Sequence, residues 1–328
     1  MTRGNRLRSI VGLLLAALFL WLTLRQVRLD GLHSALDDLD VRLIAVSLVA
    51  AAVGYAFRIE RWRLMLTSAG TNLRWKDCAG PLLASFAANN VLPLRAGDVM
   101  RCFAFNTRLG TTSGVVVATV FVERLLDLIV ILALFGVTLL VFSMDAAAFL
   151  GVGGVALLFV AAVAVFVLLF PRVIVPIARA VGGWVARRWP TVGRKIADEV
   201  EKSLMTLEHL ADRRRMVTLL LWSAAIWIAE GCAYWLAAAS LPSLTNALAA
   251  WIALPVGALA TLLPSAPGYV GTFHYFVVRA MTALGNETAA ATVFAFSIHL
   301  IVLLPSTLGG CFYLLKQGHG AKAAPAGS

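Results

Sequence analysis

The chain has 328 residues, of which 60% are hydrophobic and only 14% charged, with a mean hydropathy of +0.86 and a formal charge of +11. A soluble domain is nearer half apolar and a quarter charged, so this composition excludes an ordinary water-soluble fold and indicates an integral membrane protein. No alternation of period two with short turns appears, which excludes a β-barrel and leaves an all-α polytopic architecture.

The N-terminal stretch sets Arg3, Arg6 and Arg8 before an apolar core, as a signal peptide does, but offers no small-residue cleavage site after Trp21 and Leu22. It is therefore expected to be retained as a first span at about 9–25. A second span is predicted at about 42–58. Segment 78–107 follows, apolar at its ends but broken in the middle by Asn89, Asn90, Pro93, Arg95, Gly97, Asp98 and Arg101. Proline removes a donor and clashes with the preceding turn, and glycine loosens the backbone. Irregular backbone at membrane depth is tolerated only where protein or a water-filled cavity satisfies it, so the segment is predicted to be a re-entrant helical hairpin.

A third span at about 114–142 carries Glu123, Arg124 and Asp127 in its first half. Ionisable groups within a span are costly, so they face a cavity or pair with one another. Glu123 and Asp127 are four apart and share a helix face, where they could line a polar vestibule with Arg95 and Arg101. Two readings stay open at this stage. Arginines in a hydrated cavity suit lipid phosphate, because the planar fork matches its oxygens and stays charged; alternatively Asp98–Arg101 and Glu123–Arg124 are structural ion pairs.

Residues 146–171 hold no charge, and a fourth span is predicted at about 147–171. Segment 172–215 is the sizeable polar piece and mixes Trp184 and Trp189 with Arg187 and Arg188. It reads either as an amphipathic helix on the cytoplasmic leaflet or as a connector that sets topology. A fifth span at about 216–240 contains Glu230, for which Arg279 is a candidate partner.

Segment 245–284 is the second broken hairpin, with Pro264, Ser265, Gly268, Tyr269, Gly271, Thr272, His274 and Arg279. Backbone amides at its broken helix start could hold an anionic headgroup. His274 either meets a phosphate and titrates, or is a packed, hydrogen-bonded histidine. A last span at about 288–315 precedes a short tail, 316–328. The cysteines Cys78, Cys102, Cys232 and Cys311 lie singly in apolar segments and are expected to be packing residues, with no metal or other cofactor.

Charge orients this plan. With six crossings and two re-entrant hairpins, the basic residues before span one, after span two, across 172–215 and after the last span fall on one side. The positive-inside rule makes that side, with both termini, cytoplasmic. The excess charge is then a topology signal that also suits anionic lipid, and nucleic-acid binding is set aside. Leu92-Pro93-Leu-Arg-Ala-Gly97 recurs as Leu263-Pro264-Ser-Ala-Pro-Gly268, three crossings later, so the two hairpins open to opposite sides. Leu304-Pro305-Ser-Thr-Leu-Gly309 fits the same string, so the topology, rather than the string, carries the weight. Paired Gly/Pro-broken segments in two inverted halves mark a midplane transport site, with Pro93, Gly97, Pro264, Gly268 and Gly271 as hinges.

Asn90-Val-Leu-Pro-Leu-Arg-Ala-Gly-Asp-Val-Met-Arg101, Glu123-Arg-Leu-Leu-Asp127 and Pro264-Ser-Ala-Pro-Gly-Tyr-Val-Gly-Thr-Phe273, in that order, resemble the lysylphosphatidylglycerol synthase transmembrane region family, also called flippase-like integral membrane proteins. The resemblance implies movement of lipids between leaflets. Family patterns carry Glu where Asp98 stands and a Gly-rich turn at Ser265, Ala266 and Pro267, which bears on headgroup identity more than on architecture. The aminoacyltransferase domain fused to the synthases is expected to be missing, since only a short tail follows Leu315.

The leading expectation is thus a bacterial inner-membrane lipid translocase, without enzymatic activity, moving an anionic or zwitterionic lipid. No Walker motif is present, so gradients would drive it. Membrane lipids are the expected partners, with a homo-oligomer or a lipid-synthesising enzyme left open. The alternatives are a membrane-embedded enzyme acting on a lipid headgroup, for which no HExxH or nucleophile elbow speaks, and a non-transporting accessory subunit.

Overall fold

The computed structural model describes residues 14, 17–25, 39–92, 95–143, 176, 180, 190–263 and 266–322. The predicted span 147–171, most of the connector 172–215 before residue 190, and Pro93, Pro264 and Ser265 lie outside the described residues. Residues 17–24, within the predicted first span, are helical. The chain then forms α1 (Val41–Ser68), α2 (Trp75–Val91), α3 (Ala96–Ala104), α4 (Asn106–Leu109), α5 (Ser113–Val141), α6 (Pro190–Leu210), α7 (Arg213–Ala239), α8 (Ala250–Ala260), α9 (Thr272–Ala283) and α10 (Thr288–Lys322). Single 3₁₀ turns at Ala247–Ala249 and Pro267–Tyr269 flank α8 and precede α9.

Among the described residues four helices are long and apolar enough to cross a membrane: Val41–Ser68, Ser113–Val141, Arg213–Ala239 and Thr288–Gln317. They match four of the predicted spans. The two remaining broken segments are each a helix, a break and a second helix: α2 and α3 around residue 93, and α8 and α9 around residue 264. The second predicted span is longer than its apolar core suggests. Its helix continues past residue 58 to Ser68 and carries Arg58, Arg61 and Arg63 inside it, where the sequence had placed them in a cytoplasmic loop. The arginine stems bury along the helix while their heads find carboxylates, so the charges do not end the element.

Helix starts follow local chemistry. Asp40 caps α1 by accepting from the Arg42 and Leu43 amides at 2.8 and 3.3 Å. Asp77 closes the start of α2 by accepting from the Arg74 amide at 2.9 Å, and Thr112 caps α5.

Packing relies on small residues. Helix α1 runs along α7, with Ser47 donating to the Ala233 carbonyl at 2.7 Å across the contact. Helix α2 runs along α10, where a Cβ added at Gly310 would stand 2.4 Å from the Leu83 carbonyl oxygen. Lipid tails are as apolar as leucine, so helices in a membrane associate through such close backbone approach rather than through hydrophobic burial.

Two apolar cores result. One gathers Trp62, Met65, Leu66, Leu82, Val122 and Leu126; the other gathers Ile131, Phe135, Tyr234, Leu254, Val277, Phe294 and Ile298. Along α5, Asp127 falls between Leu126 of the first core and Ile131 of the second, at the seam between them, and Glu123 lies one turn before it.

Candidate functional site

At that seam the first break delivers α3 against α5. Arg101 is fully buried and forks onto Glu123, with Nη1 to Oε2 at 3.2 Å and Nη2 to Oε1 at 3.1 Å. Arg124 crosses over to Asp98, donating to both carboxylate oxygens at 3.0 and 2.9 Å. The short-range pairings anticipated from sequence, Asp98–Arg101 and Glu123–Arg124, are looser, at 3.9 Å each. Asn89 ties α2 to α3 by donating to Asp98 Oδ1 at 3.0 Å and accepting from the Asp98 amide at 3.2 Å. Gly97 makes this possible: a Cβ there would lie 1.9 Å from the Ser85 carbonyl oxygen.

One turn further along α5, Asp127 joins a different set. It accepts from Arg61 Nη1 at 2.7 Å and from the Trp227 indole at 3.3 Å, and lies 3.7 Å from Arg58. Arg61 also donates to Ser223 at 2.7 Å, while Arg58 bonds Glu230 closely. Glu230 therefore pairs with α1 rather than with Arg279, which is exposed on α9. A long arginine inside α1 reaches across the α1–α7 contact, whereas α9 turns its own arginine outward. Arg95 does not join Glu123 and Asp127 either.

Arg95 sits instead where the two breaks meet. Its Nε donates to the Tyr269 hydroxyl at 3.0 Å, and Nη2 lies 3.3 Å from the Thr261 carbonyl and 3.4 Å from the Thr261 hydroxyl. Asn90 donates to Thr307 at 2.9 Å and Ser306 at 3.3 Å, and its carbonyl would stand 3.1 Å from a Cβ on Gly268. The break near residue 93 thus docks on the break near residue 264. No described carboxylate lies within ion-pair distance of Arg95, unlike Arg58, Arg61, Arg101 and Arg124, which each have one. Arg95 and Tyr269 both hold left-handed backbone, at φ 52° and 58°. Non-glycine residues in that region are uncommon and strained, and such strain persists where surrounding structure over-determines it.

Behind Tyr269, His274 is buried; its Nδ1 accepts from the Gly271 amide at 3.2 Å, and its Nε2 is 3.2 Å from His299 Nδ1. Thr272 is buried, and its hydroxyl has no partner among the described residues. Gly268 and Gly271 take φ of 66° and 86°, which only glycine adopts without strain.

The sequence-derived candidates therefore fall into three groups. Asn89, Asp98, Arg101, Glu123 and Arg124 form one ion cluster, Asp127 and Glu230 belong to a second, and Asn90, Arg95, Gly268, Tyr269 and Gly271 lie at the junction of the breaks with Thr272 and His274 behind it. Sequence reasoning missed Arg58, Arg61, Thr261, His299, Ser306 and Thr307. Arg58 and Arg61 carried a signal in their i, i+3 spacing at the end of an apolar run, which read as a loop flank; the hydroxyl residues carried none.

Residues 9–310 match the model of the family described as lysylphosphatidylglycerol synthase TM region. A glycosyltransferase named AglD from Haloferax volcanii is 27% identical over 349 aligned positions, covering 95% of this chain and 55% of that protein. The chain therefore spans about half the length of that relative.

Proposed function

The chain belongs to the lysylphosphatidylglycerol synthase transmembrane-region family, and from that premise we propose that it is a lipid translocase of the bacterial inner membrane. Both termini are cytoplasmic, and the two broken segments are re-entrant hairpins of an inverted repeat. The observation that carries this reading is Arg95: a cation with no carboxylate partner among the described residues, on strained backbone, at the contact between the breaks. An arginine bonded to neutral oxygens exchanges them readily for a phosphate, because the charge-assisted bond to an anion is the stronger one. A phospholipid headgroup entering the junction would take the place of Tyr269 and Thr261 on Arg95 while its tails stay in the bilayer. Releasing Tyr269 separates the two breaks, and one half can then rock against the other around the site.

The test is a leaflet-specific assay in vesicles of phosphatidylcholine and phosphatidylglycerol, following a fluorescent phosphatidylglycerol. Loss of a charge-assisted bond is worth about 1.5–3 kcal/mol, so Arg95→Gln should slow lipid movement at least about tenfold with folded yield unchanged. Normal movement by Arg95→Gln removes the junction from the mechanism.

A second reading draws on the relative's name. The chain could act as the membrane part of a lipid-headgroup-modifying system, or on the headgroup itself, as a glycosyltransferase does. Incubating the purified chain with an activated sugar and membrane lipid, and finding a glycosylated lipid by mass spectrometry, would favour that role.

A further inference from the structure

His274 and His299 form a buried chain whose proton positions follow from geometry. Nδ1 of His274 accepts from the Gly271 amide at 3.2 Å, so that nitrogen carries no proton. If the ring is neutral, its proton sits on Nε2, 3.2 Å from Nδ1 of His299, which must then accept. The His299 proton then falls on Nε2. The pair is anchored through Gly271 to the turn that carries Tyr269. Both imidazoles must be neutral for every link to have one donor and one acceptor.

We propose that this histidine pair is a proton-binding latch: neutral, it holds the 268–271 turn closed, and the turn opens with uptake of protons by the exposed imidazoles. A proton on His274 Nδ1 would face the Gly271 amide, donor against donor, and one on His299 Nδ1 would face His274 Nε2–H. Tyr269 is bonded to Arg95 at 3.0 Å, so opening of the turn releases the contact between the two breaks. That this contact gates a lipid path rests on the translocase reading above; the latch itself does not.

The surroundings favour a proton over a metal ion. Phe273 stacks on His299 at 4.8 Å and Phe296 on His274 at 4.0 Å between ring centroids. No group of three or more His, Cys, Asp or Glu with the geometry of a metal site occurs among the described residues. The titratable or charged groups brought up by neighbouring elements are Tyr269 on the turn, Arg95 from the first break, Tyr275 on α9, Tyr234 of α7 against Phe294, and Tyr55 of α1, which donates to the Val302 carbonyl at 3.0 Å. No carboxylate of the described residues is among them, so an added proton has no described counter-charge at hand and the closed turn excludes it.

Linkage sets the size of the effect. An open imidazole titrates near the ordinary histidine value of about 6.5 and a closed one binds no proton, so lowering the pH from about 7.5 to about 5.5 multiplies the open population roughly tenfold per histidine. Amide exchange of residues 266–275, measured on the full chain in detergent without added lipid and corrected for the intrinsic effect of pH, should rise about a hundredfold over that range, tenfold from each histidine. In His274→Gln and His299→Gln the rise should shrink to that of the one remaining histidine, and in the double variant it should vanish. A flat wild-type profile overturns the latch, as does a double variant that responds like the wild type. If the variants do not fold, nitrogen-15 spectra of histidine-labelled wild type decide: both rings as the Nε2–H tautomer at pH 7.5 support the latch, and an Nδ1–H tautomer on either overturns it. A failure of lipid movement with a normal exchange profile would count against the translocase reading alone.

Discussion

The Arg101–Glu123 pair offers the sharpest quantitative test, because both partners are out of solvent and joined by two hydrogen bonds of 3.1 and 3.2 Å. Removing one partner of a buried pair strands the other charge, at about 3–5 kcal/mol, while replacing both with apolar groups of similar volume is often neutral or stabilising. Asp98 lies 3.9 Å from Arg101 and partly compensates the loss of Glu123, so Glu123→Leu should fall near the lower end, at about 3 kcal/mol. Arg101→Met strands Glu123 with Arg124 at 3.9 Å and should cost a similar amount, plus its packing at 5.1 Å over the Trp62 ring. The double variant should recover most of both losses, a coupling of at least about 2 kcal/mol by reversible unfolding in mixed micelles. Additivity of the two single effects to within about 0.5 kcal/mol would refute the reasoning. The double variant also separates the two roles left open by the sequence. If it folds and still moves lipid, Arg101 is structural; if it folds and moves none, the guanidinium serves the headgroup.

Gly97→Val should break the α2–α3 contact, since even a Cβ would stand 1.9 Å from the Ser85 carbonyl oxygen; such overpacking costs about 1–3 kcal/mol or more and would appear as lost folded yield. Gly268→Val, at φ 66° with the Asn90 carbonyl 3.1 Å from the new Cβ, should fold more readily but slow lipid movement from either leaflet; normal rates would remove this turn from the mechanism. On the helix outside the spans, the Lys202 ammonium and the Gly114 amide hold the Glu199 carboxyl below its usual range. The docking of α6 on α5 that it supports is therefore present above the ordinary glutamate value of about 4.3 and lost as pH falls through the lower folded value. Glu199→Gln should flatten that pH dependence, read by amide exchange across 197–210.

The apolar runs were legible because membrane spans are written in composition: Ser113 and Thr288 begin helices where a charge-poor run begins, while Val41 and Arg213 begin theirs a few residues ahead of one, before Arg42 and within a run of three arginines. The breaks were legible because proline and glycine stand in both. Partner choice was not. Asp98 and Arg101 are three apart on one helix, and proximity in sequence suggested that they pair, yet the forked geometry of Arg101 finds a better match in Glu123 from α5. Arg279 looked like the partner of Glu230 because the stretch around it holds no other charge, while Arg58 was hidden in what read as a loop. Pairing depends on which helices cross, and a single sequence does not record the crossing.

The crossing changes what the charges mean. Arg58, Arg61, Arg101 and Arg124 face Asp98, Glu123, Asp127 and Glu230, so each of these cations already has a carboxylate. A seam neutralised in this way is poorly suited to attract an anion, because an arriving phosphate must displace a carboxylate that then lies stranded in a low dielectric. Arg95 has no such competitor among the described residues: its partners there are a phenol, a hydroxyl and a carbonyl, all neutral and all on the opposite break. The same side chain is thus both the available anion site and a bond that holds the two breaks together. An anionic headgroup bound there must weaken the closed junction, and binding and opening become one event rather than two.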